Sequence, residues 1–367
     1  MNKILVTVIS IASVFYFISC ENYRKPAEGP EDEIYVVADS SEYAYLSPVL
    51  DSTFEKIIYT PQPEKLFTIN WISLNQLSTY KDKKNILVIA PLDSYSFTSR
   101  FIRSAFDTTK LEKIKNRQDF LLKKENLWAA DQLVMFLTAP TGQELREDIL
   151  KDKDGLLYAF QKVSDERLKS CLYNKAYENE PLEGKLLQKY GWVIYIQHDV
   201  KLELDAPKDN FVWLKWLPGK DMDRWLFVHW IDNASPAYLN EDSIRAIRNR
   251  VTEKYYWNKD DSSYIRIASD YYMSNEINFN GRYAIFTQGL WEFNKKGMGG
   301  PFINYTFFDA KTNRLYMLDG SIFAPKYYKR NLIQQTDVLL QSFMTEPEVA
   351  KDKKLDLLTA AKGSEQK

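Results

Sequence analysis

The chain has 367 residues, of which 45% are hydrophobic, and its formal net charge is −1. This length allows two domains, and the hydrophobic content is sufficient for a packed core. The balanced charge excludes the basic excess of a nucleic-acid-binding protein and the acidic runs of a metal buffer, so we expect no nucleic-acid partner.

The N-terminus is typical of an exported lipoprotein. Lys3 precedes an apolar stretch over residues 4–18, and the stretch ends in Ser19-Cys20. About fifteen apolar residues fit the central region of a signal peptide and fall short of the roughly twenty that a membrane span needs. A small residue followed by Cys resembles the lipobox of bacterial lipoproteins. We therefore predict a signal peptide over residues 1–19 and acylation of Cys20. An ordinary secretory peptide is the alternative.

Acylation of Cys20 has consequences for the rest of the chain. Two or more acyl chains would hold the protein on a membrane, at the periplasmic face or the outer-membrane surface of a bacterial cell envelope. The polar residues 20–32 are predicted to form a flexible tether. Cys171 would have no disulfide partner, and its helical context predicts burial. Two His and one free Cys are too few for a zinc site, so we expect no metal and no cofactor.

The first part of the chain, residues 33–180, alternates predicted strands and helices, as α/β domains do. Strands are predicted over residues 33–38, 66–72, 85–90, 120–128 and 133–138, and helices over residues 40–59 and 97–106. Thr141-Gly-Gln-Glu144 resembles a capping box that starts a helix reaching residue 177.

The second part, residues 181–343, is rich in strands. They are predicted over residues 192–204, 211–217, 225–231, 264–268, 276–292, 303–309 and 314–324, with a hairpin turn after Asp309. Helices are predicted over residues 242–254 and after Pro325, and residues 344–367 are predicted to be disordered. The fold class is therefore α+β, with two mixed or antiparallel sheets and packed helices.

Several motifs in the second part are similar to those of a known family. They are Gly281-Arg-Tyr-Ala, Gly289-Leu-Trp-Glu, Met298-Gly-Gly-Pro-Phe-Ile-Asn-Tyr and Leu318-Asp-Gly. The chain resembles the domain of unknown function 4837 family of uncharacterised bacterial lipoproteins, over about residues 33–343. The resemblance implies lipoprotein status and no activity. More weakly, the second part resembles a PsbP- or Mog1-like α/β sandwich, a fold analogy that carries no function.

One segment of the second part, residues 289–305, stands out as a candidate patch for a partner or ligand. Its glycines are predicted to allow positive φ angles and close backbone approach. A bulged or broken hairpin is the structural alternative. Arg282, in the preceding strand, is expected to pair with Glu292 or Asp319, or else to bind an anion. The candidate residues are Arg282, Trp291, Met298, Gly299, Gly300 and Pro301.

Three functions remain open from the sequence. The first is a non-catalytic envelope lipoprotein that binds a protein partner, since no catalytic motif is present and no catalytic residue is assigned. The second is a glycan-binding or glycan-hydrolysing lipoprotein, which for hydrolysis would need two facing carboxylates among Asp221, Asp223, Glu292 and Asp319. The third is a carrier of a lipid or small apolar ligand, which would need a cavity between sheet and helices.

Overall fold

The computed structural model describes residues 24–219, 221–258, 262–295 and 297–365. The predicted signal peptide and Cys20 lie outside the described residues. The strands are β1 Glu33–Val37, β2 Ile57–Ile58, β3 Glu64–Lys65, β4 Thr68–Ile72, β5 Asn85–Ile89, β6 Leu121–Glu125, β7 Leu133–Leu137, β8 Trp192–Val193, β9 Val200–Ala206, β10 Phe211–Gly219, β11 Met222–Asp232, β12 Trp257–Asn258, β13 Ser263–Phe279, β14 Arg282–Phe293, β15 Gly299–Asp309, β16 Arg314–Phe323 and β17 Met344–Thr345. The helices are α1 Ser40–Phe54, α2 Leu77–Tyr80, α3 Phe97–Ala105, α4 Thr108–Lys115, α5 Gly142–Lys151, α6 Lys153–Leu172, α7 Glu180–Tyr190, α8 Glu241–Tyr255, α9 Arg330–Leu340 and α10 Lys351–Glu365.

The N-terminal domain is built on a five-stranded sheet in the order β4-β1-β5-β7-β6. Its first four strands are parallel, and β6 is antiparallel to β7. All five residues of β5 and of β7 are buried, as parallel strands covered on both faces require. Helices α1, α5 and α6 cover one face, and α2, α3 and α4 cover the other.

Two predictions about this domain's helices are refined by the structure. The Thr141 hydroxyl accepts the N–H of Glu144, and the Glu144 carboxylate accepts the N–H of Thr141, so the predicted capping box starts α5. The helix ends at Lys151, and α6 begins after Asp152 rather than continuing it. Cys171 was predicted to be buried and is exposed, because the buried residues of α6 end at Ser164 and Cys171 lies about two turns further on, in the last turn of the helix.

The prediction of a flexible tether up to residue 32 is wrong for the part of it that the structure describes. The Ala27 N–H donates to the Ala130 carbonyl at 2.8 Å, and the Glu28 N–H donates to the Asp82 carbonyl at 2.8 Å. Glu31 forms an ion pair with Arg167 at 2.8 Å. The backbone of this polar segment forms hydrogen bonds to the domain surface. Composition alone does not distinguish such a bound segment from one that is fully solvated.

The C-terminal domain is built on an eight-stranded antiparallel sheet in the order β12-β13-β14-β15-β16-β11-β10-β9. Alternate side chains of the strands form two separate cores. Helix α8 packs on one face, against Phe227, Trp291 and Phe302. Helices α7 and α9 pack on the other face, against Trp230 and Tyr305. The fold class is α+β, as predicted; the analogy to a PsbP- or Mog1-like sandwich stays a prediction.

The long strand predicted over residues 276–292 is two strands of a hairpin. Asn280 has φ +51° and Gly281 has φ +83°, and these two residues form the turn between β13 and β14. An Asn-Gly pair between strands is the strongest short-range signal for such a turn. β13 also extends further back than predicted, to Ser263.

The tail predicted to be disordered is ordered up to Glu365. β17 pairs with β8, and α10 packs on α7 so closely that a Cβ atom at Gly184 would lie 2.0 Å from the carbonyl oxygen of Leu357. Leu357 and Ala361 are fully buried. The buried stripe of α10 is only one residue wide, so its sequence lacks the broad apolar face that normally predicts a packed helix.

The two domains contact each other through α9. The Glu64 carboxylate of the N-terminal domain accepts the N–H groups of Lys329 at 2.8 Å and of Arg330 at 2.7 Å, at the start of α9. The Gln334 side chain on α9 donates to Ser164 and Asp165 on α6, both at 2.8 Å. In the described ranges, none of the helices has the length and apolar character needed to cross a membrane.

Candidate functional site

Trp291 lines a pocket, and the neighbouring strand β15 has a glycine, with no side chain, at the position opposite it. β15 places Gly300 opposite Trp291, where a Cβ atom would lie 1.9 Å from the carbonyl oxygen of Ile322. The indole folds over this gap, and its Nε1 donates to that carbonyl at 3.2 Å. A Cβ atom at Gly299 would lie 2.1 Å from the carbonyl oxygen of Trp291. The predicted close backbone approach is therefore present.

The geometry of the glycines differs from the prediction in one respect. Gly297, Gly299 and Gly300 do not have positive φ angles, because Gly299 and Gly300 are part of the extended strand β15. Pro301 also lies in β15, opposite Leu290. Gly299 and Gly300 are required by the close packing of neighbouring backbones and of the Trp291 ring rather than by a tight turn, whereas a Cβ atom at Gly297 would meet nothing within 4 Å.

Trp291 and Met298 line a pocket of about 600 Å³ on the α8 face of the sheet, which we call the aromatic pocket. Its walls come from β9, β10, β11, β13, β14 and β16 and from the chain that follows α8. Its aromatic residues are Trp213, Trp225, Tyr255, Tyr256, Trp257, Trp291, Phe293 and Phe323.

The rings of the aromatic pocket are in mutual contact. The centroids of Trp213 and Tyr256 are 4.4 Å apart, and those of Trp225 and Trp291 are 5.3 Å apart. Trp257 and Met298 stand at the opening, 53% and 47% exposed. A wall of fixed rings with an adaptable thioether at the opening suits an apolar occupant.

Three donors in these walls have no acceptor among the described residues. They are Nε1 of Trp213, Nε1 of Trp225 and the hydroxyl of Tyr256. Burial, and next the negative charge of Asp319, hold the pKa of Tyr256 well above its ordinary value, so its O–H remains a donor. A buried donor without an acceptor costs roughly 1–3 kcal/mol, so these three donors make this part of the core less stable than a fully hydrogen-bonded one would be.

The polar part of the aromatic pocket lies at the β9–β10–β11 side. Lys215 and Asp223 form an ion pair at 3.4 Å, and Glu203 lines the same side. Asp223 is the only one of the four acids considered for glycan hydrolysis that lies in this pocket. Among the described residues, the other three are each paired elsewhere, Asp221 with Lys326, Glu292 with Arg266 and Asp319 with Arg248.

Arg282 is not part of this site. It lies nine residues from Trp291 along β14, which corresponds to about 30 Å. Its guanidinium pairs with Glu348, and its Nε lies 3.5 Å from Asp309. The expected pairing with Glu292 or Asp319 is therefore wrong, because both acids lie too far along the sheet, whereas the ordered tail brings Glu348 to the start of β14.

The sequence located Trp291 and Met298 but missed the other walls of the aromatic pocket. Trp213, Trp225, Tyr256 and Trp257 belong to strands and loops distant in sequence. The signal that could have found them is the concentration of seven of the nine Trp residues between Trp192 and Trp291. In the ranges that the structure covers, no cluster of three or more His, Cys, Asp or Glu side chains is arranged to hold a metal ion.

Each of the two parts of the chain matches a family of domains of unknown function. Residues 27–173 match the family described as Domain of unknown function (DUF8532), and residues 179–342 match the Domain of unknown function (DUF4837). The resemblance inferred from the sequence therefore holds for the second part, while the first part matches a different family. No curated protein matches the chain.

Among solved structures, one match is the crystal structure of LpqN, involved in cell envelope biogenesis of Mycobacterium tuberculosis. It has a TM-score of 0.26 and 10% sequence identity, and the match covers 42% of this chain and 82% of that chain. A likeness of this size supports no assignment of fold or function. The part of the chain from residue 179 to residue 342, less than half of its length, is thus similar to the family of domains of unknown function 4837.

Proposed function

We propose that this protein is an acylated lipoprotein of the bacterial cell envelope that binds a partner protein through the aromatic pocket and catalyses no reaction. The observation that carries the binding function is the open pocket of about 600 Å³ lined by eight aromatic residues, with Trp257 and Met298 exposed at its opening. The sequence that ends in Cys20 supports the location.

The shape and chemistry of the pocket favour a peptide segment as the occupant. Binding energy at protein interfaces is concentrated in buried aromatic anchors, and Trp and Tyr are the residues most enriched there. An apolar side chain of the partner would fill the space between Trp225 and Trp257.

Site-specific cross-linking tests the pocket directly. A photoreactive phenylalanine analogue at Met298 should cross-link a defined protein in intact envelopes, and Trp257→Ala in the same chain should abolish that product. The matched control is the same analogue at Tyr328, which is 84% exposed and lies outside the pocket. Equal products from both positions, or a Met298 product that persists with Trp257→Ala, would rule out the pocket as the interface.

Acylation is tested by labelling cells with radioactive palmitate. Cys20→Ser should prevent incorporation of label and release the protein from the membrane fraction, because stable anchoring needs the acyl chains. Cys171→Ser is the control, since Cys171 is an exposed cysteine on α6. Label that persists in the Cys20→Ser protein would contradict the anchor.

A glycan is the second candidate occupant. Glu203 and Asp223 offer hydrogen-bond acceptors beside the exposed ring of Trp257, an arrangement that suits a sugar stacked on an indole. Binding of soluble envelope oligosaccharides that is lost with Trp257→Ala would support this function. The absence of any bound oligosaccharide in such a screen would exclude it.

A further inference from the structure

One side of β13 is left without a neighbouring strand over most of its length. Its outer neighbour β12 pairs only with Ser263 and Tyr264. Over residues 272–278, β13 pairs with β14 on its inner side, without a register shift. Among the described residues, no hydrogen bond engages the backbone of this segment on the outer side. We call residues 272–278 the free edge.

The turn at Asn280-Gly281 determines which backbone groups of the free edge point outward. In a two-residue turn the flanking residues, here Phe279 and Arg282, exchange both backbone hydrogen bonds, and the residues before them alternately face the paired strand and face away from it. The N–H and C=O groups that face away from β14 therefore belong to every second residue, namely Tyr272, Ser274, Glu276 and Asn278. Such a row of unpaired groups is a template for another strand.

The other edges of the two large sheets carry features that oppose pairing with another chain. β9 has a register shift and three charged residues, and β6 ends in two Lys and one Glu. On β4, the N–H of Ile69 is already bonded to the Glu55 carboxylate at 3.0 Å. The free edge has no register shift, no Pro and no Lys, and its one charged residue is Glu276. Since bulges and charges are the usual protection of exposed edges, their scarcity here indicates an edge that another chain covers.

We propose that a second copy of this chain pairs with the free edge, antiparallel and about a twofold axis at Asn275, so that the two eight-stranded sheets become one continuous sheet. The register shift before Tyr272 and the turn after Phe279 limit the pairing, and an axis at the midpoint of the free edge gives the longest overlap. Met273 of each copy then faces Ile277 of the other, an apolar cross-strand pair. A twofold contact closes on itself and leaves neither free edge unpaired.

The charges at the interface favour this register. Glu276 lies opposite Ser274 of the second copy, whereas an axis at Glu276 would place two carboxylates directly opposite each other, which is destabilising. The two Glu276 side chains are diagonal neighbours, and each is also diagonal to Tyr272 of the other copy. The guanidinium of Arg245 lies 4.0 Å from the centre of the Tyr272 ring, and its ion pair with Glu241 is exposed. Each copy therefore brings a cation beside the other copy's Glu276, which offsets the diagonal repulsion.

Exposed apolar side chains continue the interface onto the N-terminal domain. Met273 borders a cavity of about 740 Å³ between the two domains, and Ile57, Tyr59 and Tyr158 of the N-terminal domain line the same cavity and are exposed. The rings of Tyr59 and Tyr271 lie 4.5 Å apart across the domain boundary. A group of exposed apolar side chains marks an interaction surface, so a second copy at the free edge would cover apolar area as well as backbone groups. This interface requires neither the aromatic pocket nor acylation of Cys20.

Cysteine cross-linking in intact cells tests both the pairing and its register. In a chain with Cys171→Ser, which removes the exposed native thiol, Asn275→Cys should give a disulfide-linked dimer after mild oxidation. Residues directly opposite each other at a non-hydrogen-bonded position have Cα atoms about 4.5 Å apart, within the range of a disulfide. The matched control is Asn278→Cys, which is exposed on the same strand but whose two copies would lie about 20 Å apart.

The yield of linked dimer decides the proposal. Asn275→Cys should exceed Asn278→Cys by at least about tenfold, and mass spectrometry should find position 275 linked to itself. Adding Met273→Lys to the Asn275→Cys chain should lower the yield by about tenfold, because an unpaired ammonium would face Ile277 of the second copy. Adding Leu355→Lys, on the exposed side of α10, should leave it unchanged.

Circular dichroism confirms that each cross-linking variant is folded. The absence of a dimer from Asn275→Cys, equal yields from the two Cys positions, or an unchanged yield in folded Met273→Lys would overturn the proposal. Linkage of Asn275→Cys to a different protein would overturn it as well, since the free edge would then belong to another partner.

Discussion

The ion pair between Arg248 and Asp319 connects α8 to the centre of the C-terminal sheet, and removing one charge of this pair should be strongly destabilising. Both side chains are fully buried, with Nε and Oδ2 2.7 Å apart. Asn304 at 3.1 Å and Ser321 at 2.9 Å also donate to the Asp319 carboxylate. Asp319→Asn keeps only one acceptor oxygen, so one of these two neighbours loses its acceptor, and the guanidinium of Arg248 remains buried without a counter-charge.

The magnitude follows from the distance between the charges. Two unit charges about 4 Å apart interact by about 4 kcal/mol at an effective dielectric constant of 20. Breaking a buried pair on one side costs roughly 3–5 kcal/mol in comparable cases. For a domain of this size, a loss of about 4 kcal/mol corresponds to a decrease of about 8–16 °C in Tm.

Tryptophan fluorescence during thermal unfolding is a suitable assay, because seven of the nine Trp residues lie between Trp192 and Trp291 and therefore report on this domain. Arg248→Met with Asp319→Leu should recover part of the loss, since no charge is then left unpaired. Asp221→Asn, which removes an exposed pair with Lys326, should leave Tm unchanged. A decrease below about 2 °C in Asp319→Asn, or a double variant that shows the sum of both single losses, would refute the reasoning.

Two further perturbations test other parts of the fold. Glu64→Ala should lower the free energy of unfolding, measured by urea denaturation, by about 1–2 kcal/mol, because it removes the cap of α9. Glu64→Gln keeps an acceptor and should lose less, and equal losses in the two variants would contradict the capping role. Burial lowers the pKa of His229 to about 4 from an ordinary 6.5. The contribution of the neutral imidazole to the free energy of unfolding is therefore complete above pH 6.5 and is lost as the pH falls towards 4. We expect this loss to reach about 3 kcal/mol, measured as the difference between the pH profiles of unfolding of the wild type and His229→Gln; superimposable profiles would exclude it.

Local signals in the sequence predicted local structure well. The capping box at Thr141, the buried strand at residues 85–89 and the turn after Asp309 are all present, because each depends on residues within a few positions of each other. The Asn280-Gly281 turn was missed although its signal is equally local, because the aromatic residues on both sides of it suggested one continuous strand.

Contacts between distant residues account for the remaining errors. The partner of Arg282 is Glu348, which lies in the tail that the sequence predicted to be disordered. The tail is ordered because its helix packs on α7, a contact between residues far apart in the sequence. The aromatic pocket combines residues from seven strands and from α8, and only two of its members stood out by their local pattern. Register between strands decides which Trp side chains share a face, and a single sequence does not give that register.

Hydrogen bonds hold residues 25–28 against the N-terminal domain, and under the proposed acylation of Cys20 they would limit the distance between this domain and a bilayer. The Lys25 carbonyl accepts the N–H of Ala130 at 2.8 Å, so only four residues separate Cys20 from a fixed point on the domain, five steps along the chain. Five steps reach at most about 18 Å when fully extended. An acylated Cys20 would therefore keep the surface around Ala130 next to the lipid headgroups. A partner would then have to reach the protein at the membrane, because so short a connection would not allow the protein to extend across the envelope.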